Sequence, residues 1–442
     1  MNVPELCRFP VSFARVHPIV VILLDGLADR AHASLGGRTA IEAAETPNLD
    51  RLAAAGSCGL IYAVGPGRAP SSEVAHWSML GYTPEEFPGR AVFEALGAGQ
   101  EVDPADVFTF AALRPAERRA DGLWLTGRPR YGEDDDDAAE LVAACDGLEI
   151  DGFRFALDHL RRGEAVLRIS KGADDRVTDT DAFFRDRHPV LRPLPLMPEA
   201  ERTARAAEAW TRRTMEILAD HPVNRRRADD GAPVFNVVTL KWWGRARGCP
   251  TFPQRHGLHG SFIAGSRFLH GLARAVGLEP IDAPETDDGA SDLSARLRLI
   301  DDRLAAGDTF VFSHQKTMDT AGHTKDPAIK QRALEALDSE LGSPPIDRAI
   351  VCVTGDHATP TYPDVIHSGD PVPFVLAGPG VRADAVIAFG ELDCGAGILG
   401  HLRGPDMMPV LLNAADRPLF LGSRPTPFPG ADGYPELLEP LR

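Results

Sequence analysis

The 442-residue sequence is poor in the features that would place it in a membrane, in an oxidised compartment or on nucleic acid. No apolar run approaches the roughly 20 residues needed to span a bilayer. The longest, Ile19 to Leu24, is short and ends on Asp25, so it reads as a buried strand. The first sixteen residues carry Arg8 and Arg15 but no sustained apolar stretch and no small-residue cleavage site, which predicts a cytoplasmic protein. The six cysteines (Cys7, Cys58, Cys145, Cys249, Cys352, Cys394) are scattered, with no redox or zinc-ribbon spacing, and are expected as reduced, mostly buried thiols. A net charge of −17 argues against nucleic acid as the main partner, though it leaves room for a local basic pocket. Part of that acidity is the run Glu133 to Asp137, which reads as a solvated loop. Internal repeats and long low-complexity tracts are also missing.

What is present is ample apolar content, 43% of residues, in a chain long enough for two domains. Ile19–Leu24 is a continuous apolar run of the kind found in parallel strands buried on both faces, with Asp25-Gly26 at its carboxyl end. Thr46-Pro47-Asn48 reads as a helix start, with Leu49, Leu52 and Ala53 as its inward face. The same grammar returns late in the chain. Thr309–His314 is strand-like and leads to His323; Arg348–Thr354 leads to Gly355-Asp356-His357; Val372–Ala377 is closed by Gly378-Pro379-Gly380. Strands alternating with helical segments predict an α/β fold with a mostly parallel sheet flanked by helices. From about Ala98 to Ala232 the chain is rich in Asp, Arg and Pro, with short strand candidates such as Ala165–Ile169. This predicts an inserted, smaller α+β domain over 98–232 that caps the active site, within a main domain of 1–97 and 233–442.

The chemistry-bearing residues sit just after buried strands or in tight loops. These are Asp25, the pair Asp319 and His323, the pair Asp356 and His357, and His367. Catalytic residues gather at the carboxyl edge of an open α/β sheet. Carboxylates together with imidazoles suit zinc or manganese, and magnesium less well. Singly, an Asp-Gly after a strand is a turn and an Asp-His pair is surface; their joint recurrence at successive strand ends points to metal. Two such ions about 3.5–4 Å apart clamp both the attacking and the leaving oxygen of a phosphoryl group. Ser72, in the stretch Pro70 to His76, is the nucleophile candidate, since metal coordination makes a serine hydroxyl reactive. A helix starting just after it would aim backbone N–H groups at a phosphate. By spacing alone, Ser71 or Ser72 serves equally as that helix's cap.

These residues lie in motifs that run over nearly the whole chain. They are LLDGLADR at 23–30, TPNLDRLAAAGSCGL at 46–60, SSEVAHWSMLGY at 71–82, GRAVFEALGAG at 89–99 and VTDTD at 177–181. HPVN at 221–224, DTAGH at 319–323, TGDHATP at 354–360, HSGDPVP at 367–373 and RGPDMMPVLL at 403–412 complete them. With them the chain resembles the alkaline-phosphatase superfamily, and within it the cofactor-independent (2,3-bisphosphoglycerate-independent) phosphoglycerate mutases of the archaeal type. The resemblance implies an alkaline-phosphatase-like fold. It implies one metal on Asp319, His323 and His367, and a second on Asp25, Ser72, Asp356 and His357. The metals would be manganese or zinc, with magnesium and cobalt tolerated. It further implies a phosphoserine at Ser72 during interconversion of 3-phosphoglycerate and 2-phosphoglycerate, under a cap that excludes water.

The basic pocket departs from that pattern. An Arg-Cys-Asn stretch of the family aligns with Phe108-Thr109-Phe110, an arginine-rich stretch with Thr126-Gly127-Arg128, and a lysine with His259. Apolar residues cannot replace a bidentate arginine. Lys316, Arg168, Lys171, Arg176, Lys241 and Arg245 are candidates to supply replacement charge. Two further readings therefore stand beside the mutase. One is a phosphomutase or phosphohydrolase acting on a different phosphorylated or phosphonate-bearing acid in specialised biosynthesis; the other is a metal-binding protein without catalysis, which would have no need of Ser72.

Overall fold

The computed structural model describes residues 17–130, 132–170, 172–181 and 187–418, together with short backbone strands at Phe9–Pro10 and Leu437–Leu438. The chain forms two compact units. One is Pro88–Gly248; the other is built from the chain up to Phe87 and from Cys249 onward. The insert expected over 98–232 lies within the first of these. That unit also takes in helix Arg90–Gly97 and strand Val237–Gly244, because both pack on strand Val107–Arg114.

The discontinuous unit holds an eight-stranded sheet. Its order is Glu279–Asp282, Gly260–Ala264, Phe310–Gln315, Ile19–Leu24, Ile350–Thr354, Val372–Ala377, Ser57–Tyr62 and Gly400–Arg403. Ile19–Leu24, Phe310–Gln315 and Ile350–Thr354 are buried at every position under flanking helices; the first is apolar throughout, whereas the second turns polar at Ser313, His314 and Gln315. Helix Pro47–Ala54 has Pro at its first turn and buries Leu49, Leu52 and Ala53. One strand departs from the parallel expectation. Val372–Ala377 runs antiparallel to both neighbours, Ile350–Thr354 and Ser57–Tyr62. The segment that precedes it therefore arrives at the same edge as the segments that follow the parallel strands. Three adjacent strands, in register Gln315–Leu24 and Leu23–Thr354, deliver their carboxyl ends side by side. The loop after Tyr62 and the loop before Val372 end there too.

The second unit is a five-stranded antiparallel sheet, ordered Val237–Gly244, Val107–Arg114, Glu164–Ile169, Phe153–Arg161 and Leu148–Ile150. Strand Val107–Arg114 shows the period of two directly. Val107, Ala111 and Leu113 join a core with Trp210 and Phe155, while Phe108, Phe110 and Ala112 join a second core with Ala91, Val92 and Ala95. Both faces are thus covered. The acidic run Glu133 to Asp137, expected as a loop, instead opens helix Asp135–Ala144. Asp135, Asp136 and Asp137 occupy its first turn, where carboxylates complement the helix dipole. Asp134 and Asp137 pair with Arg227 at 2.9 and 2.7 Å, a partner about ninety residues away that no local pattern reveals.

Candidate active site

The edge of the eight-stranded sheet gathers all seven residues expected to carry the metal chemistry. Asp25 follows Leu24 and is 1% exposed. Asp319 and His323 are one turn apart on helix Thr317–His323, with His323 Nε2 3.3 Å from Asp319 Oδ1. His367 Nε2 reaches the same oxygen at 3.4 Å, from the segment leading into the antiparallel strand. His357 Nε2 lies 3.3 Å from Asp25 Oδ1 and 3.4 Å from Asp356 Oδ2. The His357 and His367 rings stack at 3.8 Å, and His323 and His367 are 5.6 Å apart. Asp319, His323 and His367 place ligand atoms within 4.8 Å of one another, as do Asp25, Asp319 and His357.

Ser72 is the first residue of helix Ser72–Met79, and its Oγ is 3.3 Å from His357 Nε2. Neither serine caps that helix with its side chain. Ser71, at the cap position, spends its hydroxyl on Glu73 Oε1 at 2.8 Å. The Ser72 hydroxyl is thereby left to face the cluster.

Four polar residues absent from the sequence-level site complete the surroundings. His76 lies one turn after Ser72. Its Nδ1 is 2.6 Å from the Ser72 carbonyl and 3.6 Å from Asp356 Oδ2. His314 Nε2 is 3.1 Å from Asp25 Oδ2. The Thr359 hydroxyl donates to Asp319 Oδ1 at 2.7 Å. Lys330, fully buried, donates to the carbonyls of Gly26, Ala28 and Thr359 at 2.9, 2.7 and 2.8 Å, tying the Asp25 loop to the His357 loop. His76 was recoverable as the i+4 neighbour of Ser72, and His314 as a polar residue ending an apolar strand. Thr359 lies within the TGDHATP motif, two residues after His357, whereas nothing local marks Lys330.

The electrostatics are those of crowded anions. Burial pushes the Asp356 carboxyl well above its usual range, and Asp25 adds to the shift. Burial acts the same way on Asp25, but the Lys316 ammonium and the His314 hydrogen bond outweigh it and hold that carboxyl low. Burial pushes the His76 and His357 imidazoles down to about 3, leaving them neutral with a ring nitrogen lone pair available. Asp25 Oδ1, Asp356 Oδ2 and His76 Nε2 are buried without a hydrogen-bond partner. Unpaired buried polar atoms are costly. Carboxylate oxygens and neutral imidazoles around such orphaned atoms are the donor set that divalent cations take.

Of the basic residues expected to bind substrate, Lys316 and His259 belong to the discontinuous unit, and Arg168, Arg176, Lys241 and Arg245 to the other. Lys316 is in the cluster, its Nζ 2.8 Å from Asp25 Oδ2 and 2.7 Å from Asp319 Oδ2. His259 is exposed and directly precedes Gly260–Ala264, a parallel strand, so it lies at the opposite edge of the sheet and we assign it no part in the site. Arg176 is exposed and bound by Asp174 at 2.6 Å. Arg168 is exposed, 4.0 Å from Asp106, and Arg245 donates to the Ala173 carbonyl. Lys171 lies outside the described residues. Lys241 differs. It lines a recess in the second unit with Arg114, Arg128 and Arg162, none of which but Lys241 was a sequence candidate. A bulge between Lys241 and Gly244 puts Trp242 at φ +60, and burial pushes the Lys241 ammonium down to about 8. Arg114 is held by Asp181 at 2.8 Å. Phe108 and Phe110, where the resemblance places an arginine and an asparagine, are buried against Ala91, Val92 and Ala95 of helix Arg90–Gly97.

Comparison with known proteins agrees with this architecture. Residues 53–224 match the family model for 2,3-bisphosphoglycerate-independent phosphoglycerate mutase. The chain is 37% identical to the protein of that name from Methanoculleus marisnigri, over 90% of this chain and 97% of the relative. Among solved structures, the cofactor-independent phosphoglycerate mutase of Thermoplasma acidophilum is similar at 30% identity and a TM-score of 0.63, covering 90% of this chain and all of that one. A Pyrococcus horikoshii protein is similar at 28% identity and a TM-score of 0.76, covering 93% and 100%. Carrying this cluster on this sheet, with such relatives along nearly its whole length, the chain belongs to the 2,3-bisphosphoglycerate-independent phosphoglycerate mutase family, a family of isomerases.

Proposed function

We propose that this protein interconverts 3-phosphoglycerate and 2-phosphoglycerate by passing the phosphoryl group through Ser72. The observation that carries the reading is the placement of Ser72 Oγ, 3.3 Å from His357 Nε2, on a cluster of buried carboxylates and neutral imidazoles. Asp319, His323 and His367 would hold one divalent ion, and Asp25, Ser72, Asp356 and His357 a second. Manganese or zinc suit the mixed oxygen and nitrogen donors, with magnesium or cobalt as substitutes. When bound, such ions lower the pKa of a coordinated hydroxyl and neutralise charge on a phosphoryl group.

The chain's own residues do the rest. Ser72 Oγ attacks phosphorus; the bond from phosphorus to one glycerate hydroxyl breaks as the bond to Oγ forms. After the glycerate reorients, its other hydroxyl attacks the phosphoserine and Oγ leaves. Helix Ser72–Met79 presents its first-turn N–H groups beside that oxygen, where a phosphoryl anion is favoured. Lys316, between Asp25 and Asp319, adds a fixed positive charge. The second unit would serve as the cap that keeps water from the phosphoserine.

One observation favours a second reading, a phosphomutase or phosphohydrolase for another phosphorylated or phosphonate-bearing acid. Phe108 and Phe110 are committed to a hydrophobic core where the resemblance expects an arginine and an asparagine. The test is an assay with manganese and 3-phosphoglycerate coupled to enolase. Formation of 2-phosphoglycerate supports the mutase; release of inorganic phosphate alone supports the hydrolase. No turnover on any phosphorylated acid would remove both.

A further inference from the structure

The helix that carries Ser72 has a second face. Ser72 and His76 turn towards the cluster, while Val74, Trp77 and Ser78 line a cavity of about 480 Å³ on the other side. That volume lies within the range of small-molecule sites. Its walls are largely apolar and include Val64, Tyr82 and Phe87. The rings are mutually fixed: Trp77 lies 4.5 Å from Tyr82 and 5.9 Å, edge-on, from Phe87. The indole N–H is already bound to the Thr83 carbonyl at 2.8 Å, so the cavity side of that wall offers ring surface rather than a donor. Two arginines, Arg68 and Arg403, complete the lining, both exposed. Neither forms an ion pair with any described carboxylate, although the chain has 64 acidic residues against 47 basic ones. None of these residues belongs to the metal cluster.

From this geometry we infer a second binding site, behind the helix that begins at Ser72, for a small ring-bearing anion such as a carboxylate, sulfonate or phosphate. Flat apolar walls favour a ring, and an arginine fork is matched to planar or tetrahedral oxyanions. A guanidinium without a competing carboxylate keeps its donors available to such a ligand. Because Trp77 and Val74 belong to the same two-turn helix as Ser72, an occupant would press on the element that places the nucleophile.

The test uses the full-length protein and 8-anilinonaphthalene-1-sulfonate, an aromatic sulfonate whose fluorescence rises on leaving water. Saturable binding at one molecule per chain is expected, with N-phenyl-1-naphthylamine, its uncharged counterpart, at least tenfold weaker. The double substitution Arg68→Gln with Arg403→Gln should weaken the sulfonate at least tenfold, and Val74→Trp, which fills the cavity, should abolish binding. Equal affinity for the charged and uncharged probes would overturn the site, and this comparison needs only the unaltered protein. Undiminished sulfonate binding in either variant, with far-UV circular dichroism unchanged, would overturn it as well.

Discussion

At the scale of single residues, the account rests on a few side chains whose partners are all in view. The Ser72 hydroxyl has one neighbour in the cluster, His357 Nε2, and does not cap its helix. Ser72→Ala should therefore leave the protein folded, at a cost of no more than about 1.5 kcal/mol by denaturant melts, the scale of a single hydrogen bond. It should lower phosphoryl transfer by at least about a thousandfold, since removing a nucleophile removes the covalent route. Lys330 behaves in the opposite way. Lys330→Met would leave the carbonyls of Gly26 and Thr359 without their buried donor, while that of Ala28 would keep only the Thr359 N–H at 3.2 Å. Each orphaned group costs on the order of 1–3 kcal/mol, so a drop of several kcal/mol in unfolding free energy is expected, together with weaker metal binding by calorimetry. Glu391 supplies a pH signature. Burial raises its carboxyl to about 7, although Thr39 and the Asp29 N–H both donate to it. A folded-state pKa above the unfolded value means that the folded protein retains a proton the unfolded chain releases, so this group's contribution falls as pH rises from about 4.5 to about 7. Glu391→Gln should thus gain stability relative to the parent across that interval, and a difference that shrinks with rising pH would refute the assignment.

At the scale of elements, function follows from strand direction. Runs such as Ile19–Leu24 and Ile350–Thr354 announce themselves in sequence because strands buried on both faces must be continuously apolar. The polar residue that ends each run is then placed at the sheet edge by geometry alone. This is why Asp25, Asp356 and His357 were legible. His367 was legible as a residue type but not as a position, because its place depends on Val372–Ala377 running antiparallel, which no local pattern states. The helix at Asp135 and the clamp by Lys330 were hidden for a similar reason, since both depend on partners distant in the chain. His259 entered only because the resemblance aligns it with a lysine, and its place before Gly260–Ala264 depends on strand direction in the same way. Gly26 shows how tightly the loops are packed at this edge. Its φ is +68°, and a Cβ there would lie 2.4 Å from Thr359 Oγ1 and 2.8 Å from Asp319 Cα. Gly26→Ala must displace the helix that carries Asp319 as well as strain the backbone. A loss of about 2 kcal/mol or more is expected by thermal melts, with activity falling further than stability alone explains.

At the scale of the whole molecule, metal binding would couple the fold to the chemistry. A cluster of buried carboxylates held together by one lysine is under strain from its own charge, and divalent cations would relieve it. Chelation should therefore lower the melting temperature as well as abolish turnover, and manganese should restore both. A ligand present at a hundred times its dissociation constant stabilises the native state by about 2.7 kcal/mol per site. An unchanged melting temperature on chelation would show that the cluster is structural without metal. The central claim is that the phosphoryl group rests on one defined oxygen between its two positions on the substrate. Rapid acid quenching of the manganese-loaded protein with 3-phosphoglycerate, followed by peptide mass spectrometry, tests it most directly. The account predicts phosphate on Ser72, absent from the Ser72→Ala protein; a turning-over enzyme whose phosphate is found only on another residue would contradict it.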